Sequence, residues 1–420
     1  MPFDMPGCRV ALLLAAFGAA LFGAGPVFAV GSGEASPDVI AKSPPVASGA
    51  RVAGDADRTR FVLDLSQGVE IAAFALADPY RVVIDLPEVR FDLPRDAGVV
   101  GRGVVSGFRY GLIGRGKSRI VVDATGPVAI DRAFVLPAVE DQPARLVLDL
   151  VGTTREAFLA EQSRTSVARR ALAEVEVGKG DRLPTTTNPR AKPLVVLDAG
   201  HGGIDSGTIA VSGLAEKELV LTFARDLKAR LEKSGRVDVL MTRDDDSFIS
   251  LGERVRIARD HRADILVSIH ADSTQEDFVR GATVYTLSEQ ASDRDAARLA
   301  AKENSSDAIA GLDLTAESGE VGDILIDLAR RETKTFSHVV ARELVSELSA
   351  STRMIRNPHR SAGFQVLRAP DVPSVLLELG YLSNAQDEKL LTDGEWRDRV
   401  SDAVARAVLR FVGQKYVAGP

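Results

Sequence analysis

The apolar positions of this 420-residue chain change their rhythm three times, and each change marks a different kind of structure. An uncharged apolar run over residues 10–24 follows Arg9. From 51 to 152 the period is two: residues 59–65 (TRFVLDL) and 80–86 (YRVVIDL) alternate apolar with polar, as half-buried strands do. Both recur, as SRIVVD at 118–123 and ARLVLDL at 144–150, at offsets of 59 and 64 residues. This predicts one duplicated unit, an all-β antiparallel sheet or small sandwich.

After Pro193 the texture changes again. Residues 194–198 (LVVLD) are continuously apolar, as a strand covered on both faces requires. A helical stretch over 219–231, a strand over 237–242, a helix over 251–259 and a strand over 265–269 follow. Strands alternating with helices predict an α/β layer with a mainly parallel sheet. The last strand, 374–379, precedes Ser383-Asn384, a plausible cap for the final helices. Between the two regions, 155–178 has helical composition, and DRLPTTTNPRAKP reads as a linker. The predicted fold is therefore multidomain: a leader over 30–50, a β domain over 51–152, a helix and linker over 153–192, and an α/β domain over 193–415.

Composition adds limits. The chain is 45% hydrophobic and 26% charged with net charge -7, and no basic block or aromatic-interleaved basic stripe appears, which excludes a nucleic-acid reading. The first apolar run is shorter than the ~20 residues that span a bilayer. It ends in Val27-Phe28-Ala29, so 1–29 reads as a secretory signal peptide cleaved after Ala29, with no membrane anchor left behind. The single cysteine, Cys8, leaves with it, so a metal site in the mature chain must use histidines and carboxylates.

Two of the five histidines lie just past predicted strand ends, where open α/β sheets place their sites. His201 sits in DAGHGG, between glycines that let backbone approach a ligand, and His270 sits in SIHAD. Position alone leaves open whether they share a metal. Glu216 falls on the helix face of Leu219, Val220, Phe223, Leu227 and Leu231, where a carboxylate is costly to bury unpaired. Alternatively it lies at an exposed first turn and favours the helix dipole. Glu378 is embedded in VLLELG, either satisfied by a buried arginine or acting as a general base with a raised pKa. Two histidines and a glutamate with a further glutamate nearby are the donor set of a hydrolytic zinc site. Arg243 and Arg254 read as packing or surface charges, and His261, His338 and His359 as uninvolved.

DAGHGG, then Glu216-Lys217, then SIHAD, then LLELGYLSN, in that order over 193–415, resemble the zinc-dependent N-acetylmuramoyl-L-alanine amidases. The duplicated β region resembles the AMIN module that precedes such domains. The resemblance implies that His201, Glu216 and His270 bind zinc and that Glu378 is the catalytic acid/base. It also implies that the substrate is peptidoglycan, cut between N-acetylmuramic acid and L-alanine during cell-wall remodelling and daughter-cell separation in the periplasm.

Residues 288–336 exceed what a minimal domain of this kind needs and resemble the regulatory segment of division amidases. Helical composition at 296–304, a loop at 311–320 and a longer helix from 321 are expected within it. The resemblance implies that 292–310 covers the cleft, with Glu303 taking the open metal position, until a LytM-domain activator displaces it. A solvated surface helix is the alternative. A catalytically inactive wall-binding scaffold and a zinc peptidase or deacetylase are the competing functions.

Overall fold

The computed structural model describes residues 43–139, 142–162, 192–274, 276–312 and 324–417. The expected signal peptide, most of the leader, residues 163–191 of the expected helix and linker, and residues 313–323 of the expected loop and following helix lie outside them. Pro44–Pro420 form one compact unit, and both predicted domains belong to it.

The duplication seen in the sequence becomes a two-sheet sandwich. Strands β1 (Val46–Gly54), β2 (Arg58–Leu65), β3 (Ala72–Leu76) and β4 (Arg81–Pro87) form the first copy. After the short β5 (Arg90–Phe91), β6 (Val105–Gly114), β7 (Lys117–Ala124), β8 (Val128–Leu136) and β9 (Ala144–Gly152) form the second. The sheets run β5-β1-β2-β9-β8 and β3-β4-β7-β6, so each copy gives strands to both sheets. Phe61, Leu63, Val82, Ile84, Ile120, Val122, Leu146 and Leu148 fill the space between them. One boundary needs correction: residues 46–50 are not flexible leader but the start of β1. Ala47 is fully buried and pairs with Leu65, because small residues there fit against β2.

The sequence also predicts simple alternation in β4 and β7, and the structure departs from it. Val82-Val83-Ile84 and Ile120-Val121-Val122 are buried on both faces, because a second layer covers the outside of their sheet. Fully burying a valine is worth about 1.5–3 kcal/mol relative to exposure, so this contact is not incidental.

A helical segment begins at 155 and is described to 162; its expected continuation to 178 lies outside the described residues. The α/β domain then opens with β10 (Leu194–Ala199), α1 (Glu216–Lys233), β11 (Asp238–Met241), α2 (Leu251–Asp260) and β12 (Ile265–His270). It continues with β13 (Ala282–Leu287), α3 (Arg294–Glu303), α4 (Ser306–Ile309), α5 (Ile324–Ser349) and β14 (Met354–Ala362). It closes with β15 (Ser374–Glu378), α6 (Ala385–Leu391) and α7 (Gly394–Val417). The sheet order is β11-β10-β12-β15-β13-β14. All neighbours are parallel except β13 and β15. Val195 and Leu197 face the core built from α1, α5 and α7, while Leu194 and Val196 face the other layer with Ala258 of α2. Alternate residues of one strand thus enter two cores, which is why β10 reads as continuously apolar. Asn384 caps α6, accepting from the Gln386 and Asp387 amides. Among the described residues no helix is long and apolar enough to cross a membrane.

The insert helix α3 is not a solvated surface helix. Asp293 caps it, and Ala296, Leu299 and Ala300 pack on Tyr285, Phe364 and Leu376. That orientation turns Glu303, on the same face, inward.

Candidate metal centre

Strand register brings the chemistry together. β10 and β12 run in parallel with Ala199 opposite Ile269, and His270 lies opposite Glu378 on β15. His201, just past β10, has φ of 58°, a left-handed conformation that non-glycine residues rarely adopt. Two buried arginines hold this turn. Arg254 pairs with Asp198 at 2.7 Å and donates to the His201 carbonyl at 2.7 Å, and Arg243 donates to the Gly200 carbonyl at 2.8 Å. Their expected packing role is the observed one. Gly200 admits no side chain, since a Cβ there would lie 2.4 Å from Cε1 of His270.

The two imidazole rings stand 4.9 Å apart. Nε2 of His201 is 3.1 Å from Oε1 of Glu216 and 3.7 Å from Oε2 of Glu303. Nδ1 of His270 is 3.4 Å and 3.1 Å from the same two atoms. Both nitrogens are buried, and neither makes a well-aligned hydrogen bond among the described residues. On its other side, Nδ1 of His201 lies 2.9 Å from Oδ2 of Asp205. A proton on that nitrogen, the tautomer this bond favours, leaves the Nε2 lone pair facing Glu216 and Glu303. Glu216 is oriented by the Thr208 amide at 3.0 Å and the Ala271 amide at 2.8 Å. Orphaned nitrogens converging on carboxylate oxygens, with a carboxylate behind the imidazole, fit a divalent cation of the zinc type.

The field of the site is strong because its histidines and carboxylates are buried. Burial pushes the His201 imidazole down, but Glu216, Asp205 and Glu303 outweigh it and hold its pKa well above the ordinary value. Burial raises Glu216, and His201 and His270 overcome that to hold it well below the usual range. Asp205 is likewise lowered to about 2, with His201 and Ser306 outweighing burial. Burial raises Glu303, and nearby Glu216 and Asp272 add to the rise against the pull of the two histidines. Glu378 is raised well above the carboxylate range, first by burial and then by Asp272, Glu216 and Glu303.

Every candidate residue converges here. Glu216 is fully buried rather than exposed at the first turn. Glu378 is not satisfied by an arginine: Oε2 accepts the Asp272 amide at 3.0 Å, and Oε1 has no hydrogen-bond partner among the described residues. His261 is exposed, and His338 and His359 pair with each other instead. The sequence reading missed Asp205, Thr208, Asp272, Lys302 and Ser306. Lys302 bonds the Asp272 carboxylate and donates to Thr208 Oγ1 at 2.9 Å, and Ser306 donates to Asp205. Asp205 and Asp272 lie within four residues of a histidine, a signal that could have found them. Lys302 and Ser306 carry no such mark, since only tertiary packing brings α3 and α4 to the cleft.

Comparison with known proteins gives the family. The family model described as N-acetylmuramoyl-L-alanine amidase matches residues 195–410, and that described as AMIN domain matches 49–150. The N-acetylmuramoyl-L-alanine amidase AmiC of Neisseria meningitidis serogroup B is 32% identical over 367 residues, covering 84% of this chain and 87% of its own length. AmiC of Escherichia coli O6:H1 is 31% identical over 371 residues, covering 84% and 86%. Among solved structures, the amidase AmiC2 of Nostoc punctiforme is 28% identical, with a TM-score of 0.38, over 54% of this chain and 99% of that one.

Proposed function

The chain belongs to the N-acetylmuramoyl-L-alanine amidase family, and from that premise we propose which residues carry the reaction and what holds it in check. The enzyme is a peptidoglycan amidase with an AMIN domain. The proposal is that His201, Glu216 and His270 hold zinc, that Glu378 is the acid/base, and that the scissile bond joins N-acetylmuramic acid to L-alanine. The observation that carries it is the pair of orphaned nitrogens on His201 and His270 aimed at Glu216 and Glu303.

When bound, zinc supplies Lewis acidity, which acidifies water and polarises a carbonyl. The remaining work belongs to the chain. Asp205 fixes the His201 tautomer, and the Thr208 and Ala271 amides fix Glu216. Glu378, made more basic by burial among carboxylates, takes the proton of the attacking water and returns it to the leaving amine.

Regulation is part of the proposal. Glu303, buried 3.1 Å from His270 Nδ1, occupies the position a substrate or water needs. The α3–α4 segment then keeps the enzyme off until a LytM-domain activator removes it. The signal-peptide pattern supports a periplasmic location, and the AMIN domain supports targeting to the wall. The functional units are proposed as 44–152 and 193–415.

The test is digestion of purified peptidoglycan by the mature chain, with and without residues 292–310. Release of stem peptides with a free L-alanine amine, chelator-sensitive and lost in Glu378→Ala, is expected, and the deletion should raise it without an activator. Acetate in place of stem peptide would mean a deacetylase. No release from either form, with metal bound, would mean a binding protein.

A further inference from the structure

The β3-β4-β7-β6 sheet has an outer face that its own sandwich leaves uncovered. Val83 and Val121 point there and are nevertheless fully buried, in a cluster with Phe74, Ile204, Phe248 and Ala310. Ala310 directly follows α4, so the end of the insert covers the face together with Ile204 and Phe248. Three arginines of the sheet complete the contact. Arg109 Nε donates to the Ile309 carbonyl at 2.5 Å. Arg119 Nη1 donates to the carbonyls of Ala310 at 3.0 Å and Gly311 at 3.2 Å, and Arg81 Nη2 to that of Leu312 at 3.1 Å. Four consecutive carbonyls of a chain leaving a helix, groups that no longer have helical partners, are thus met by cationic donors. The arginines are themselves aimed: Asp85 grips Arg119 at 2.5 and 2.9 Å, and Asp123 pairs with Arg109. Gly311, at φ of 70°, sits so close that a Cβ would lie 2.8 Å from Cγ2 of Val83 and 3.0 Å from Cγ2 of Val121.

The same module reaches the opposite wall of the site. The Leu112 carbonyl on edge strand β6 accepts the amides of Ile204 at 3.3 Å and Phe248 at 3.2 Å, and Ile204 follows His201 by three residues. One β module therefore touches both the loop that carries His201 and the segment that carries Glu303.

We propose that the AMIN-type module has a second function: its Arg81, Arg109 and Arg119 clamp residues 309–312 and so hold the inhibitory segment over the metal centre. The proposal rests on the reading that Glu303 blocks the site. Between Glu303 and the clamp lie only residues 304–308, and Ser306 among them bonds Asp205 behind His201. Release of 309–312 from the sheet loosens that segment, and any ligand that occupies the outer face of the sheet competes with 309–312 and favours the open enzyme.

The experiment uses the full mature chain without an activator and compares Gly311→Leu, Arg109→Ala and Glu303→Ala. The readouts are stem-peptide release and hydrogen exchange over 294–309. Gly311→Leu adds bulk on the insert side and leaves the β module's own residues intact; Arg109→Ala attacks the same contact from the other side. Both are expected to raise release about tenfold, toward the Glu303→Ala level, and to speed exchange in α3. If Glu303→Ala raises release while the two clamp variants change neither readout, the clamp is overturned and the block stands. If Glu303→Ala leaves release unchanged, the block falls and the clamp with it.

Discussion

Two pairs of histidines stand ring to ring in this molecule. His201 and His270 lie 4.9 Å apart at an interplanar angle of 77°, and His338 and His359 lie 5.2 Å apart at 63°. Ring geometry barely separates them; their surroundings do. Burial lowers His201, but three carboxylates reverse the effect. Burial also lowers His338 and His359, and there the neighbouring charges push the same way: Lys334 and Arg342 on His338, and His338 and Arg342 on His359. His359 is further occupied by Thr286, whose Oγ1 is 3.1 Å from its Nε2. Adjacent imidazoles become a cation site only where carboxylates collect the charge and a second ring of bonds aims the nitrogens.

The largest test of that contrast exchanges one histidine at a time. His201→Ala should empty the site by elemental analysis and take stem-peptide release below detection, whereas His359→Ala should leave both within about twofold. Equal losses would erase the distinction. On the proposal that Glu378 moves protons and holds no ion, Glu378→Gln should cost about 10²–10⁴ in kcat while metal content stays at the wild-type level. Metal lost along with activity would reassign it as a ligand. Asp205→Asn keeps the shape and removes the charge behind His201, so metal affinity should drop about 10–100-fold in a competition titration with a chelating dye.

The smallest effect belongs to the second pair. The folded pKa values of His338 and His359 lie below the unfolded value, so the unfolded chain binds more protons as pH falls. Their contribution to stability is present above about pH 6.5 and is lost as pH falls through the folded values. The melting temperature of the parent minus that of His359→Gln should fall as pH is taken from about 8 to about 5, because His201 and Glu378, whose raised values act in the opposite sense, titrate alike in both chains. A variant as steep as the parent would show that these rings are not the titrating groups.

The sequence made the site legible unevenly. His201 and His270 were visible because strand ends are marked by apolar runs, and Glu216 because a carboxylate stood on an apolar helical stripe. Glu378 stood out for the same reason on β15. The insert helix was visible as composition, but its cap at Asp293 and its inward turn were not, because burial of Ala296 and Leu299 depends on Tyr285 of β13 and on Phe364, far along the chain. The double burial of β4 and β7 was written in Val82-Val83-Ile84 and Ile120-Val121-Val122, yet alternation in the flanking residues masked it. Nothing local distinguishes a strand that faces water from one that faces another domain.

Along the chain, period and spacing set out the elements and the duplication of the β region, because both are short-range properties; the roles of His201, Glu216, His270 and Glu378 are what the resemblance to the amidases implies. Only the folded chain brings Glu303, expected there from the resemblance, against the histidines, sets Lys302 on Asp272 and Ser306 on Asp205 beside it, and closes Arg81, Arg109 and Arg119 on Ile309 through Leu312. Those contacts join residues from 30 positions apart, Lys302 with Asp272, to 231, Arg81 with Leu312, and depend on which faces are left uncovered once each domain has buried its own core.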